Sequence, residues 1–390
     1  MGRPGVLQEV RIMRFTEVCE RWQEGRYSSE EAAQALGMSV SSFYRWRQRF
    51  EEKGMDGLAD SRLGKVSGRR TPVDVVARIL ELFETRYFDF TVKHFHEKLV
   101  EEGIKCSYSW TKNTLQAAGL VKKAKRRGAH RRRRPRKAMA GMMLHQDGSR
   151  HEWVAGQQWD LIVTLDDATS EIYSGFFIEE EGTMSSFRGI KEVIERHGLF
   201  GSLYADRGSH YWTTTDAGII DRNNPTQVHR ALQQLAIELI PAFSPEARGR
   251  SERMFGTLQK RLPQELRLAG ISDMAAANRF LAEIFIPAHN RRFRHDPEEQ
   301  ASAFVPWLSP NLADILSIQE ERTVGNDNTV RYERRVLQIP ADKHRNHYVK
   351  CKVMVHEYPD GSLAVFHGPR CLARYKADGS SQTEEKKAVA

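Results

Sequence analysis

The sequence has no long apolar run. Nothing in its 390 residues approaches the roughly eighteen consecutive apolar residues that cross a bilayer, so no membrane-spanning helix is expected. The first residues, MGRPGVLQEVR, hold no apolar core of the kind a secretory signal needs. Val6 stands where a myristoylation signal carries Ser or Thr. Cysteine is scarce: Cys19, Cys106, Cys351 and Cys371 form no C-x-x-C pair and have no His at zinc-finger spacing. A disulfide framework and a zinc site are therefore set aside, and a reducing cytosol is the expected compartment. One segment lacks acid altogether. In VKKAKRRGAHRRRRPRK (121–137) eleven of seventeen residues are Lys or Arg. Such a run repels itself when free and neutralises several phosphates when laid on a duplex.

What is present agrees with that last feature. The net charge is +9, which points to a polyanionic partner, with nucleic acid the first candidate. The length suggests two to four domains, and 40% hydrophobic residues with seven Trp supply cores for them.

Residues 9–24 have the spacing of an amphipathic helix, with Val10, Met13, Phe15, Val18 and Trp22 on the apolar side. A short helix capped by Ser28 or Ser29 follows and stops at Gly37; Ser39 caps the next, which runs to about Glu52. Two helices across a tight Gly turn, the second rich in Ser, Tyr and Arg, make a helix-turn-helix pattern. Phe43, Trp46 and Phe50 would face its core, leaving Ser41, Ser42, Tyr44, Arg45 and Arg47 for DNA. A Gly- and Arg-rich linker (54–70) leads to a second set. Helices are expected from Thr71-Pro72 to Phe83, from Thr91 to Glu102, and from Ser107 to a stop at Gly119. This repeats the first module's logic and reads as a second helix-turn-helix or winged helix.

From about residue 142 the period changes to that of strands. Short or buried strands are expected at MMLHQDGS, QWDLIVTLDDATS (158–170), EIYSGFFIEE (171–180), FGSLYADRGSHY (200–211) and IELIPAF (237–243). Helices fall at 185–197 and 226–236, then from Ser244-Pro245, then at 274–290. Residues 320–376 alternate again, with a tight turn at Pro359-Asp360-Gly361, and read as a small β-barrel.

Three carboxylates in the middle block sit where elements meet loops: Asp147, Asp206 and Glu252. Adjacent first and fourth strands would bring Asp147 and Asp206 together, and a helix packed across that edge would deliver Glu252. Such a trio is tolerated when a divalent cation neutralises it, and oxygen-only ligation suits Mg²⁺ or Mn²⁺. Two such ions, about 3.5–4 Å apart, serve phosphoryl transfer. Asp166 and Asp167 have the placement of turn caps, and Asp160 and Glu246 that of capping or dipole partners. His145 and His210 read as hydrogen-bonding neighbours of the acids.

The phrases HQDGS, YADRGSHY and SPEARGRSERMFGTLQKRL, in that order, resemble the catalytic core of the DDE transposase and retroviral-type integrase family. SSEEAAQALGMSVSSFYRWRQRFEEKGMDGL resembles the helix-turn-helix that opens many bacterial insertion-sequence transposases, and the closest likeness is to the ISNCY-like type. The resemblance covers roughly residues 10–300. It implies an α/β, RNase H-like mixed-sheet core with the triad at Asp147, Asp206 and Glu252, holding two Mg²⁺ or Mn²⁺ ions. The domains implied are a helix-turn-helix at 1–60, a second module at 70–125, a basic linker at 126–141, the core at 142–300 and the barrel at 318–378. Double-stranded DNA, both transposon ends and target, would be the partner of a homo-oligomer in the bacterial cytoplasm at the nucleoid. DNA contacts would also come from Arg131, Arg132, Arg133, Arg134, Arg248, Gln259 and Lys260. Two departures stand out. Forty-five residues separate Asp206 from Glu252, more than in many relatives, the excess falling in the polar loop 212–227. Gln259 occupies a position, two helical turns after Glu252, where relatives often carry a basic residue. The implied activity is metal-dependent end cleavage and strand transfer. A transposase-derived DNA-binding regulator with an idle core, and a simple RNase H-like nuclease, are the rival readings.

Overall fold

The computed structural model describes residues 3–60, 71–123, 135–215, 219–221, 223–242 and 249–382. The chain divides into two compact units, Met1–Ile79 and Leu80–Ala390.

In the first unit, α1 (Arg3–Gln23), α2 (Ser29–Leu36) and α3 (Val40–Lys53) enclose an aromatic core. Ser28 and Glu31 form a reciprocal capping box that starts α2, and Gly37 ends it with φ 64°. Ser39 accepts the Ser42 N–H and starts α3. The spacing of Phe43, Trp46 and Phe50 turns them toward Phe15, whose ring centroid lies 5.5 Å from that of Trp46.

The remaining helices before the sheet are α4 (Val73–Thr85), α5 (Val92–Glu101) and α6 (Tyr108–Ala117), the last two capped by Thr91 and Ser107 as their sequences predict. The second unit is built on a five-stranded mixed sheet. Its strands are β1 (Leu144–Val154), β2 (Gln157–Asp166), β3 (Ile172–Ile178), β4 (Ser202–Ala205) and β5 (Glu238–Pro241), in the spatial order β3-β2-β1-β4-β5. The first three form an antiparallel meander; β4 and β5 run parallel to β1.

Helices α7 (Thr183–His197) and α8 (Gln227–Gln234) belong to one core, with Leu144, Leu203, Phe187 and Val228. On the other face lie α9 (Ser251–Leu258), α10 (Leu262–Leu268), α11 (Met274–Phe280) and α12 (Ile286–Phe293). There Met254, Phe255 and Leu258 meet Leu161, Val163, Leu165 and Trp153. α11 and α12 are joined by a π-helical turn, Leu281–Phe285. A proline ring clashes with the carbonyl four residues before it in a regular helix. For Pro287 that residue is Glu283, inside the widened turn.

Helix α5 is held against α10 and α12 by ion pairs. Arg261 grips Glu97 through two nitrogens at 2.6 and 3.1 Å, and Arg292 reaches the same carboxylate at 2.6 Å. Lys98 and His94 meet Glu265 at 2.8 and 2.7 Å.

After α13 (Leu312–Ile315) come β6 (Ile318–Thr323), β7 (Thr329–Tyr332), β8 (Arg335–Gln338), β9 (Lys352–Glu357), β10 (Leu363–His367) and β11 (Arg370–Tyr375). Here the structure differs from the expected small β-barrel. Among the described residues the sheets stay open: β11-β10-β9-β6 is four-stranded with β11 and β6 at its edges, and β7 pairs only with β8. The hairpin packs on the sheet through a shared core of Val330, Leu337, Val355 and Val365, so burial is achieved without closure.

One further expectation changes. The first strand is long, eleven residues, because its hairpin with β2 carries it well past Gly148. Among the described residues α9 begins at Ser251; residues 243–248, with Arg248 and Glu246 and the helix start expected at Ser244-Pro245, lie outside them.

Candidate active site

Strand β1 sorts its side chains by parity. Leu144, Gln146 and Gly148 face α7; His145, Asp147 and Ser149 face α9. On the α7 side the buried Gln146 donates to Thr164 at 3.0 Å and accepts from Tyr211 at 2.9 Å, so its amide is satisfied.

On the α9 side the parallel register pairs Leu144 with Leu203 and His145 with Tyr204. The paired register ends there; Asp147 comes two residues further along β1, and Asp206 two residues after Tyr204, just past the end of β4. Parallel partners point to the same face, and the His145 ring lies 5.0 Å from Tyr204. Asp147 is buried, and Asp206, just beyond β4, is half-buried and accepts the Gly208 N–H at 2.8 Å.

Helix α9 is tied to this face at both ends. Arg250, immediately before it, closes on Asp167, which also accepts from His145 at 2.7 Å and from the Lys137 N–H at 2.7 Å. Burial would raise the Asp167 pKa, but the hydrogen bonds from His145 and Arg250 overcome it and hold the carboxyl well below its usual range. At the far end Gln259 donates to Ser149 at 3.0 Å. Asp147 therefore lies between the two strand residues, His145 and Ser149, to which the helix is hooked. Glu252 shares a stripe with Gln259, two turns back on the same side. It is solvent-exposed.

Asp147 and Asp206 each come two residues after the His145–Tyr204 pair, and Glu252 lies on the exposed side of α9. Among the described residues no three His, Cys, Asp or Glu side chains stand ready as a set of metal ligands. The donor chemistry itself, carboxylate oxygens alone, fits a hard divalent cation.

The competing acids have structural partners. Asp166 accepts the Gly141 and Thr169 N–H groups at 2.9 and 2.7 Å, and Asp160 accepts that of Glu181 at 2.8 Å. Asp167 is more than a turn cap, since it is the anchor of α9. Sequence reasoning missed Glu181. Its carboxylate lies against Gly148, where any Cβ would collide with it, and 3.5 Å from His210. Burial raises the Tyr211 pKa, and the charges of Glu181, Asp147 and Asp206 push it the same way. Only a Gly beside an acid hinted at this crowding, and that signal is too common to act on.

The proposed DNA contacts divide. In α3, Ser41, Tyr44 and Arg45 are exposed, and Ser42 is half-buried. The Ser39 hydroxyl, which caps α3, lies within hydrogen-bond reach of both Ser41 and Ser42. Arg47 is engaged by Glu51 at 2.8 Å and lies over the Trp22 ring, so it packs the module. Gln259 is committed to Ser149, while Lys260 is exposed. Arg131–Arg134 lie outside the described residues. The end of the basic run is anchored: Arg136 donates to the Asp167 and Ala168 carbonyls and to Ser170. No helix among the described residues is long and apolar enough to cross a membrane.

Two family profiles match the N-terminal part, a winged helix-turn-helix over residues 11–72 and a homeodomain-like domain over residues 42–115. Over 91% of its length the chain is 31% identical to a protein named for a transposase, y4bF of Sinorhizobium fredii, and covers 78% of it. It is 24% identical to the transposase for insertion sequence IS1202 of Streptococcus pneumoniae, across 93% of this chain and 88% of that one. Among solved structures, the simian T-cell lymphotropic virus intasome aligns with 72% of this chain and 91% of its own matched chain. That alignment has 13% identity and a TM-score of 0.33, a level at which nothing is inferred from it.

Proposed function

Because the chain belongs to the transposase family of these two bacterial relatives, we propose that its mixed sheet is an RNase H-like core that cuts and joins DNA with Asp147, Asp206 and Glu252 as the catalytic acids. The observation that supports this reading is the β1–β4 register, whose last pair, His145 with Tyr204, comes two residues before Asp147 on one side and two before Asp206 on the other. The strand order β3-β2-β1-β4-β5, with its antiparallel meander and two parallel additions, supports the RNase H-like assignment.

The two adjacent aspartates would hold Mg²⁺ or Mn²⁺, with Glu252 completing the set from the edge of α9, and two ions are the expected complement. Bound there, the cations supply charge neutralisation for attacking and leaving oxygens. The protein's own part is placement. Arg250 and Gln259 fix α9 over β1. Cleavage adds water across a phosphodiester at the element's end and leaves a 3′-hydroxyl. That hydroxyl then attacks a target phosphodiester in line, its oxygen forming the new P–O bond as the old 3′-oxygen leaves. No enzyme nucleophile is required.

The domains proposed are those of the sequence: a helix-turn-helix at 1–60, a second module at 70–125, a basic linker at 126–141, the core at 142–300 and a β module at 318–378. The helical modules would read the terminal inverted repeats through α3 and α6, with Arg45 and the arginines 131–134 on the backbone. Joining two ends calls for a homo-oligomer on DNA, in the bacterial cytoplasm. The test compares wild type with Asp206→Asn on a labelled end fragment in Mn²⁺. The variant should bind the fragment and neither cut nor join it; equal cutting and joining by the variant would remove Asp206 from the mechanism. A regulator with an idle core predicts that wild type also fails to cut.

A further inference from the structure

A seam of opposite charges runs between α5 and the helices that follow α9. Glu97 of α5 meets Arg261, three residues past the end of α9, through both carboxylate oxygens at 2.6 and 3.1 Å. The two side chains are only 11% and 10% exposed. Arg292 of α12 reaches the same carboxylate at 2.6 Å. Glu265 of α10 reverses the polarity, taking Lys98 at 2.8 Å and His94 at 2.7 Å from α5. At the rim, Arg267 grips Asp89, in the turn before α5, at 2.7 and 3.1 Å, and donates to the Arg86 carbonyl at 2.9 Å. Each side of the seam carries both signs, so a slide of α5 along α10 would set like charges opposite one another. Buried ion pairs add little stability beyond what apolar residues of the same volume would give; what such an alternating set does supply is a single register.

The seam is one link in a continuous chain of contacts. On one side, Gln259, two residues before Arg261, is bonded to Ser149 of β1, two residues past Asp147. On the other, α5 packs on α6, and the His96 Nε2–H donates at 2.9 Å to the Cys106 carbonyl just ahead of α6. Ser109, Lys112 and Asn113 stay exposed on α6. The helix with the free polar face and the strand with Asp147 are therefore joined through α5, with paired side chains at each step.

We propose that this seam selects the scissile phosphodiester. Glu97, Arg261, Glu265 and the Asp89–Arg267 pair hold α6 at one distance from the catalytic acids. The cut then falls a set number of base pairs from the bases that α6 contacts, and no sequence need be recognised at the cut itself. All of these residues act through α5 and are positioning residues. The proposal rests on the reading of the chain as a transposase whose α6 contacts the terminal repeats, and it adds which side chains set the place of cleavage.

The test uses the full chain and two labelled end fragments, one natural and one with a base pair inserted between the repeat and the scissile phosphodiester. Wild type should keep its distance from the repeat on the longer fragment, and so cut one base pair short of the natural junction. Glu97→Gln deprives Arg261 and Arg292 of their carboxylate. It should bind the fragment as wild type does, cut at the wild-type position about a hundredfold less well, the cost of roughly an ångström's misplacement, and scatter its cuts over neighbouring phosphodiesters. Asp89 and Arg267 are both exposed, so their charges can be exchanged without burying one. Arg267→Asp should scatter the cuts in the same way, and adding Asp89→Arg should restore a single position. A wild-type cut that stays at the natural junction of the longer fragment overturns the positioning role. So does a loss of cutting in the single variants with the position unchanged, or scatter that the double variant does not reverse. Each of these leaves the transposase reading intact. Failure of wild type to cut either fragment counts against that reading itself.

Discussion

The two faces of strand β1 are made by alternate residues of one short phrase, LHQDGS, and they solve different problems. Leu144 and Gln146 look toward α7, where every buried polar atom of Gln146 is matched within a neutral, close-packed core. His145, Asp147 and Ser149 look toward α9, where the cover is a helix hooked on by a buried ion pair at one end and a single amide at the other. The first face is held by matched hydrogen bonds, those of Gln146 among them. The second keeps charge in place by pairing Asp167 with His145 and Arg250.

Substitutions on each face should separate these roles. The largest effect is expected from Asp147→Asn, which should lower end cleavage and joining by more than about a hundredfold, since changes one layer out from a metal already cost 10–100-fold. Its urea unfolding midpoint should stay near that of wild type. Arg250→Met leaves the Asp167 carboxylate buried without its arginine partner and should cost about 3–5 kcal/mol in urea unfolding. Leu203→Ala, on the opposite face, should cost about 2–5 kcal/mol by the cavity it leaves. Only Arg250→Met should also uncouple α9 from β1, seen as faster amide exchange in residues 251–258.

Acid should act on the α9 face through Asp167. Asp167 has a depressed pKa in the folded chain, so its contribution is present above the unfolded carboxyl value of about 3.9 and is lost as pH falls below it. Asp167→Asn should therefore flatten the fall of unfolding midpoint with pH below about 4. The smallest effect is Ser149→Ala, which removes one neutral hydrogen bond to Gln259 and should cost about 1 kcal/mol.

Much of this was legible in the sequence because its causes are local. Ser28, Ser39, Thr91 and Ser107 cap the helices they precede, and Gly37 takes the left-handed φ that stops one. The adjacency of first and fourth strands followed from the order of elements. What was not legible depends on partners distant in the chain. Asp167 reads as a turn cap until His145 and Arg250 arrive from β1 and α9. Glu181 comes to Gly148 only through the β3–α7 connection. The open C-terminal sheets look like a barrel in sequence, because alternation fixes which side of a strand is buried and says nothing about whether the edge strands meet. Gln259 reads as a phosphate contact, and the structure spends it on Ser149.

The proposed convergence of acids on the α9 face can be tested without DNA by loading the chain with Fe²⁺ and generating hydroxyl radicals with ascorbate and peroxide. A cation held by Asp147 and Asp206 should cut the chain at two places, beside residue 147 and beside residue 206, and both cuts should vanish in Asp147→Asn. Scission elsewhere, or the same two cuts persisting in that variant, would contradict the site.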